Sequence, residues 1–330
     1  MLSLRSLTLT AAASLALGAV LAGCSGTTST QPPAQPLAQQ PAAQSSAVKP
    51  DTKANALYVS DNVGKSVFRF VLNADGTLQT PAGSSLVLPY NPLGIAINGT
   101  SLFVTNQVNN SIEVYTAGST GSASPKRSIQ LNFEPTSVAV DSHGNTFVGG
   151  STTGFVAVFA PRAHGRATPI QVISLPDGHK LINGVAVDSA GDMYVSDTNE
   201  VSEFTTPTTK PTLFRAIVGT GQQSGPAGMA LDSSGELYVA NTADNNVLAY
   251  SPTANGTSPP DRTILANGSV AMRFPLGDAV KGTNLYVTAG TTISPPPAVF
   301  VFNSQLGGQT PIQIVTGSYL ALPAGAALGP

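Results

Sequence analysis

The stretch Pro226-Ala227-Gly228-Met229-Ala230-Leu231-Asp232-Ser233-Ser234-Gly235-Glu236-Leu237-Tyr238-Val239-Ala240-Asn241 decides the fold. Two apolar runs flank Asp-Ser-Ser-Gly, whose glycine can take the positive φ that a short hairpin loop needs, so the stretch reads as strand, tight turn, strand. Copies stand at Gly184-Val185-Ala186-Val187-Asp188 with Met193-Tyr194-Val195-Ser196-Asp197, and at Ser137-Val138-Ala139-Val140-Asp141 with Thr146-Phe147-Val148. Aligned on the aromatic residue of the second strand, the chain holds six copies, at Tyr58, Phe103, Phe147, Tyr194, Tyr238 and Tyr286, spaced by 45, 44, 47, 44 and 48 residues. A period in the mid-forties is the length that four short strands and three turns consume.

The rest of each unit fills that length. An apolar residue three before an aromatic marks a third strand in every unit, from Val67 and Phe70 to Val299 and Phe302. A glycine and a proline precede a fourth strand in most: Gly121 and Pro125 before Ile129, Gly165 and Pro169 before Ile173, Gly256 and Pro260 before Ile264, Gly308 and Pro311 before Val315. Proline is expected there because an outermost strand has a free edge, where a missing N–H costs little. The first strand is present upstream of the second in five units and absent before Leu57. Its missing copy lies at Pro323-Ala324-Gly325-Ala326-Ala327-Leu328, which matches Pro226 to Leu231 almost position for position. The expectation is an all-β, six-bladed β-propeller of four-stranded antiparallel blades, closed by the C-terminal strand joining the N-terminal blade, so that no inner edge is left unpaired.

The repeat residues, such as Gly228-Met229-Ala230-Leu231-Asp232 with Gly235 and Leu237-Tyr238-Val239-Ala240-Asn241, resemble NHL-type repeats and the broader six-bladed family that includes gluconolactonase-like proteins. The resemblance covers about residues 55 to 330 and implies the fold; one fold hosts many tasks, so it implies little about activity.

Ahead of the repeats the composition changes twice. Arg5, the apolar run Leu7 to Val20 and the small residues Leu21-Ala22-Gly23 make a targeting segment too short to span a bilayer. Leu21-Ala22-Gly23-Cys24 resembles the lipobox of bacterial lipoproteins, which implies cleavage before Cys24 and a lipid on that residue; ordinary signal cleavage leaving a free thiol is the alternative. Cys24 is the one cysteine, so no internal disulfide can form. From Ser25 to about Lys49 the composition shifts to Ser, Thr, Gln, Pro and Ala, with no charged residue until Lys49, and such a segment cannot bury enough apolar surface to offset its ordering entropy. The expected organisation is a signal peptide over 1–23, a flexible tether over 24–50 carrying lipidated Cys24, and the propeller over 51–330.

With 330 residues, 41% hydrophobic and 10% charged at a net charge of −2, the chain lacks the clustered basic footprint of a nucleic-acid binder. In an antiparallel blade the second-to-third turns and the blade-to-blade links share one face, and that face gathers the candidate binding residues. They are Glu134, Asp278, Asp197, Asn106, His179 and Arg273, beside turn residues such as Asp61 and Asn241. Short polar residues at the turn positions also have a structural use, hydrogen-bonding backbone within the turn. Asp278 stands out because its repeat-mates Ile95, Val138, Val185, Met229 and Ala326 are apolar. A carboxylate there points into the central channel or needs a cation such as Arg273 or Lys281, since an unpaired buried charge is costly.

Gluconolactonase-like relatives hold a metal with acidic and amide side chains at the channel mouth. That resemblance implies Glu134, Asp278 and one of Asp197 or Asn106 as ligands here, although the acidic residue those relatives place before the first blade's inner strand is replaced by Ala321 and Leu322. His143, His164 and His179 pair with no nucleophile at a recognised spacing, and no glycine-rich phosphate loop is present. The sequence therefore points first to a membrane-anchored binding or protein-interaction scaffold in a bacterial cell envelope. Such a scaffold would be monomeric, bind no nucleic acid, need no cofactor, and meet an envelope protein or a small ligand. The alternative is a lactonase-type hydrolase with a divalent metal.

Overall fold

In the computed structural model the described residues are 56–80, 85–176, 181–218, 225–266, 271–290, 296–306 and 310–330; Cys24, the tether and His179 lie outside them. The strands fall into blades in chain order. Blade 1 contains β1 (Ala56–Asp61), β2 (Ser66–Val71) and β3 (Leu86–Val87); blade 2 contains β4 (Ile95–Asn98), β5 (Ser101–Asn106), β6 (Ser111–Thr116) and β7 (Arg127–Gln130). Blade 3 contains β8 (Pro135–Val140), β9 (Thr146–Gly150), β10 (Phe155–Phe159) and β11 (Gln171–Ser174); blade 4 contains β12 (Gly184–Val187), β13 (Met193–Ser196), β14 (Glu200–Thr205) and β15 (Thr212–Val218). Blade 5 contains β16 (Pro226–Leu231), β17 (Leu237–Asn241), β18 (Asn246–Tyr250) and β19 (Arg262–Ile264); blade 6 contains β20 (Pro275–Lys281), β21 (Asn284–Ala289), β22 (Ala298–Asn303) and β23 (Gln313–Thr316). The last strand, β24 (Pro323–Gly329), completes blade 1 in the order β24-β1-β2-β3, with Leu57 opposite Leu328 and Val59 opposite Ala326. Asp61 secures that closure, its carboxylate accepting the amides of Gly64, Ala321 and Leu322 at 2.9, 2.6 and 2.8 Å.

The innermost strands touch in sequence, β4 to β8, β12, β16, β20, β24 and back to β4, so the sheets form a closed ring. Small residues permit that approach. A Cβ on Gly277 would lie 2.3 Å from the Ala324 carbonyl oxygen, and one on Gly228 would lie 2.5 Å from that of Leu276. Hydroxyls stitch three of the joints. Ser60 Oγ accepts the Gly325 amide and donates to the Leu93 carbonyl at 2.6 Å, Thr288 Oγ1 accepts the Gly277 amide and donates to Ala324 at 2.6 Å, and Ser196 Oγ donates to Ala227 at 2.7 Å. Each joint also carries its own apolar cluster, as in Tyr286, Val299 and Val301 of blade 6 against Leu57, Val59 and Phe70 of blade 1. The hydrophobic core is thus a set of six interfaces rather than one centre.

The hairpin turns follow the sequence reading. Asp141 Oδ1 accepts the amides of His143 and Asn145, Asp188 Oδ1 those of Ala190 and Asp192, and Asp232 Oδ1 those of Ser234 and Glu236, with Gly144, Gly191 and Gly235 at positive φ.

The outer strands differ from expectation. Their edges are not free in blades 1, 2 and 4, because the third-to-fourth loop of the next blade lies against them as a parallel bridge. Gly121 bonds Ser85 and Val87, Gly165 bonds Ser128 and Gln130, and Gly256 bonds Ala216 and Val218, at 2.7 to 2.9 Å. The Gly-to-Pro segments are therefore edge covers, which removes a template for unwanted strand pairing. A second contact recurs beside them. Arg127 donates to the Ala163 carbonyl, Gln171 to Thr209, Arg215 to Ala254, Arg262 to Ser304 and Gln313 to Leu78, each reaching from a fourth strand into the loop of the following blade.

Candidate functional site

On the face formed by the second-to-third turns, most polar side chains are occupied in holding their own turns. Asn106 is buried, and its Oδ1 accepts the Asn109 amide. Asp197 is buried, and its Oδ1 accepts the amides of Asn199 and Glu200 at 2.9 and 3.1 Å. Asn241 donates to Asp244 and Asn246. These are the bonds that Asx residues make in tight turns.

Asp278 is different. Its residue is 5% exposed on β20, opposite Val287, and neither carboxylate oxygen has a hydrogen-bond partner among the described residues. The Ala240 amide of blade 5 favours the charged form without completing a hydrogen bond to either oxygen. Burial pushes the carboxyl well above its ordinary range, against a smaller opposing pull from the amide. Neither Arg273 nor Lys281 reaches it: among the described residues the close ion pairs are Arg215 with Glu203 and Arg262 with Glu236. Ala240 also occupies the second-strand position that carries Ser60, Thr105, Ser196 and Thr288 in four other blades. Blade 5 has thus lost a hydroxyl where blade 6 has gained a carboxyl.

Glu134 and Arg273 are exposed on the links before β8 and β20. Among the described residues no group of three His, Cys, Asp or Glu side chains gathers as a metal site would need. The histidines described are peripheral: His143 lies in a hairpin turn 4.0 Å from Asp141, and His164 in an outer loop beside the Arg162 carbonyl.

A concavity of about 540 Å³ opens instead on the rim between blades 2 and 3. Phe133, Phe155 and Phe159 line it with Ala167 and Val172, and Arg166 stands at its border. Phe133 and Phe155 meet edge to face at 5.3 Å. Sequence reasoning missed this place and the Arg and Gln contacts beside it. A signal existed for the latter: Arg127, Gln171, Arg215, Arg262 and Gln313 each stand two residues before the buried apolar residue of the fourth strand.

The geometry agrees with known structures. A chain in the crystal structure of a nidogen/laminin complex superposes with a TM-score of 0.66 at 15% identity, over 84% of this chain and 98% of that one. The chain is a six-bladed β-propeller. A protein of unknown function from Bacteroides caccae superposes with a TM-score of 0.59 at 12% identity, over 84% of the propeller's chain and 99% of its own. Residues 132–155, which run from the link after blade 2 through the first two strands of blade 3 to the first residue of the third, match the family described as SBBP, beta-propeller repeat. No curated protein matches the propeller's sequence.

Proposed function

We propose that this propeller is an interaction scaffold held at a bacterial membrane by a lipid on Cys24, with residues 24–50 as its tether. The observation that carries the anchoring is Leu21-Ala22-Gly23-Cys24 placed directly behind the apolar run Leu7 to Val20. Each buried methylene of an acyl chain contributes about 0.8 kcal/mol, so two or more chains on one residue would retain the protein without a spanning helix. No helix of the described residues is long and apolar enough to cross a membrane.

The scaffold reading is supported by how the polar groups are used. Asp61, Asn106 and Asp197 are spent on backbone amides, leaving a rigid ring with shaped rims rather than a gathered set of acids and bases. A propeller of this shape occurs in the nidogen/laminin complex, which supports protein recognition as a use of the fold. The hydrolase alternative would need Glu134, Asp278 and an amide or acid such as Asn106 or Asp197 to converge; among the described residues no three His, Cys, Asp or Glu side chains do so.

The test is chemical and cellular. Mass spectrometry of the mature N-terminus should find diacylglycerol on Cys24, and Cys24→Ala should move the protein from the membrane pellet to the soluble fraction. An unmodified Cys24, or wild-type protein that partitions like the variant, overturns the anchoring. Cross-linking of the membrane-bound form, followed by affinity capture, should yield a specific protein partner; a chain recovered alone overturns the scaffold.

A further inference from the structure

Blade 3 lacks the cover that its neighbours have. The loop that would reach it runs only over 206–211 between β14 and β15, against 160–170 in blade 3 and 251–261 in blade 5. It holds no Gly-to-Pro segment, and its described contact with β11 is the side-chain bond from Gln171 to the Thr209 carbonyl at 2.9 Å. In blade 2 the Ser128 carbonyl and the Gln130 amide point outward and bind Gly165. Two residues after Gln171, Ile173 matches Ile129, so the Val172 carbonyl and the Ser174 amide hold the same two positions in β11. Among the described residues neither has a partner. Val172 is 52% exposed, and Ile170 just before the strand is 43% exposed.

We propose that the open edge of β11, with the aromatic-lined concavity beside it, is a docking site for an extended, acid-bearing polypeptide segment of a partner protein, added as a fifth strand to blade 3. This rests on the scaffold reading and names its partner's chemistry. The occupant's backbone is argued from the three sister joints, where an extended segment fills the same pair of groups in parallel pairing. Strand addition supplies affinity through main-chain bonds and specificity through pockets for side chains. Here the pocket is floored by Phe133, Phe155 and Phe159 and shares Val172 with the edge.

The occupant's charge follows from complementarity. Between residues 126 and 166 the chain carries Lys126, Arg127, Arg162 and Arg166 against two acids, Glu134 and Asp141. Asp141 spends its carboxylate on turn amides, and Glu134 lies on the link, at the opposite end of the blade from the loop that holds Arg162 and Arg166. Arg166 is exposed at the border of the pocket with no ion pair among the described residues. An acidic strand is steered to such a rim, and salt weakens the attraction.

The probe is a fluorescein-labelled peptide, Gly-Asp-Val-Glu-Phe-Asp-Val-Glu-Pro, titrated against the full chain in detergent by fluorescence anisotropy. Saturable binding is expected, weakened about tenfold by Ser174→Pro, the worth of one backbone hydrogen bond, and by a similar factor by Arg166→Glu. Hydrogen exchange at Val172 and Ser174 should slow when peptide is added. Ser174→Pro removes only an outward amide and should melt like wild type, whereas Val87→Pro removes the amide that Gly121 accepts and should melt lower. No peptide binding at millimolar concentration, equal binding by Ser174→Pro, or binding to phosphatidylglycerol vesicles in place of peptide overturns the assignment. A captured partner that Ser174→Pro retains in full leaves the scaffold standing and removes this site.

Discussion

Replacing Asp278 by valine should stabilise the propeller, by an amount that depends on pH. The valine restores what Val138 and Val185 supply at the same position in blades 3 and 4, whereas the native carboxyl is buried without a hydrogen-bond partner. A buried, unsatisfied polar group costs about 1 to 3 kcal/mol even when neutral. Protonation adds a second cost. Burial raises the carboxyl's pKa in the folded chain, so the folded state keeps a proton that the unfolded state releases near pH 4. The stability of the folded form with its proton is complete below that pH, and it is lost at up to about 1.4 kcal/mol per pH unit as pH rises toward the folded-state pKa. Between pH 5 and pH 7 the direction is therefore a loss of stability, read as a falling melting temperature. Asp278→Asn keeps the shape and loses the titration, so the wild-type melting temperature should fall relative to it over that interval. Asp278→Val should exceed wild type by about 2 kcal/mol at pH 5 and by more at pH 7. Calorimetric scans of the three proteins from pH 5 to 8 decide the matter. A wild type that runs parallel to Asp278→Asn, together with a less stable Asp278→Val, would mean that the carboxylate is ionised and held by something it needs, and the reasoning would fail.

Other perturbations read different parts of the ring. Gly277→Val places a side chain 2.3 Å from the Ala324 oxygen and should cost about 3 kcal/mol or more, whereas Gly99→Ala, at a φ of +55° in open space, should cost about 1 kcal/mol; urea denaturation separates them. Asp61→Ala removes the acceptor for three amides at the chain closure and should lower stability by about 2 to 3 kcal/mol, with faster exchange at Ala321 and Leu322. The buried pair of Arg215 and Glu203 should follow the usual asymmetry: Glu203→Leu alone costs about 3 to 5 kcal/mol, and the double change to Arg215→Met with Glu203→Leu recovers most of it. A double variant no better than the single one would show that the guanidinium's bonds to the blade 5 carbonyls matter more than the charge pair.

Much of this architecture was legible because the repeat writes each feature several times. The aromatic positions Tyr58 through Tyr286 fixed the period, and the match of Pro323 to Leu328 with Pro226 to Leu231 located the closing strand to the residue, as Leu57 opposite Leu328 confirms. The turn aspartates could be assigned from one copy and checked on two others. What stayed hidden was whatever depends on a neighbour in space. Gly121, Gly165 and Gly256 were visible as loop residues, yet their pairing with an outer strand some 35 to 40 residues earlier follows from packing one blade on the next. The Arg or Gln two residues before each fourth-strand apolar residue was also in plain view, but its carbonyl partners belong to the following loop and share no pattern of their own. Asp278 could be flagged as foreign to its column, while the absence of a cation beside it required three dimensions.

A repeat protein carries its own controls, and this gives its exceptions their meaning. Three joints establish what the next blade's loop does with a fourth strand, and the loops at two more lie partly outside the described residues, so the short loop of blade 4 is a departure measured against three sister joints. The same logic applies to Asp278 against five apolar residues and to Ala240 against four hydroxyl-bearing ones. These departures fall at separate joints, between blades 3 and 4 and between blades 5 and 6, and they differ in kind. At the first, backbone groups and an aromatic pocket are left open at the surface, where a partner can reach them. At the second, a carboxyl is sealed inside at a cost to stability, where no partner can. Of the two, only the first has the geometry of a binding site.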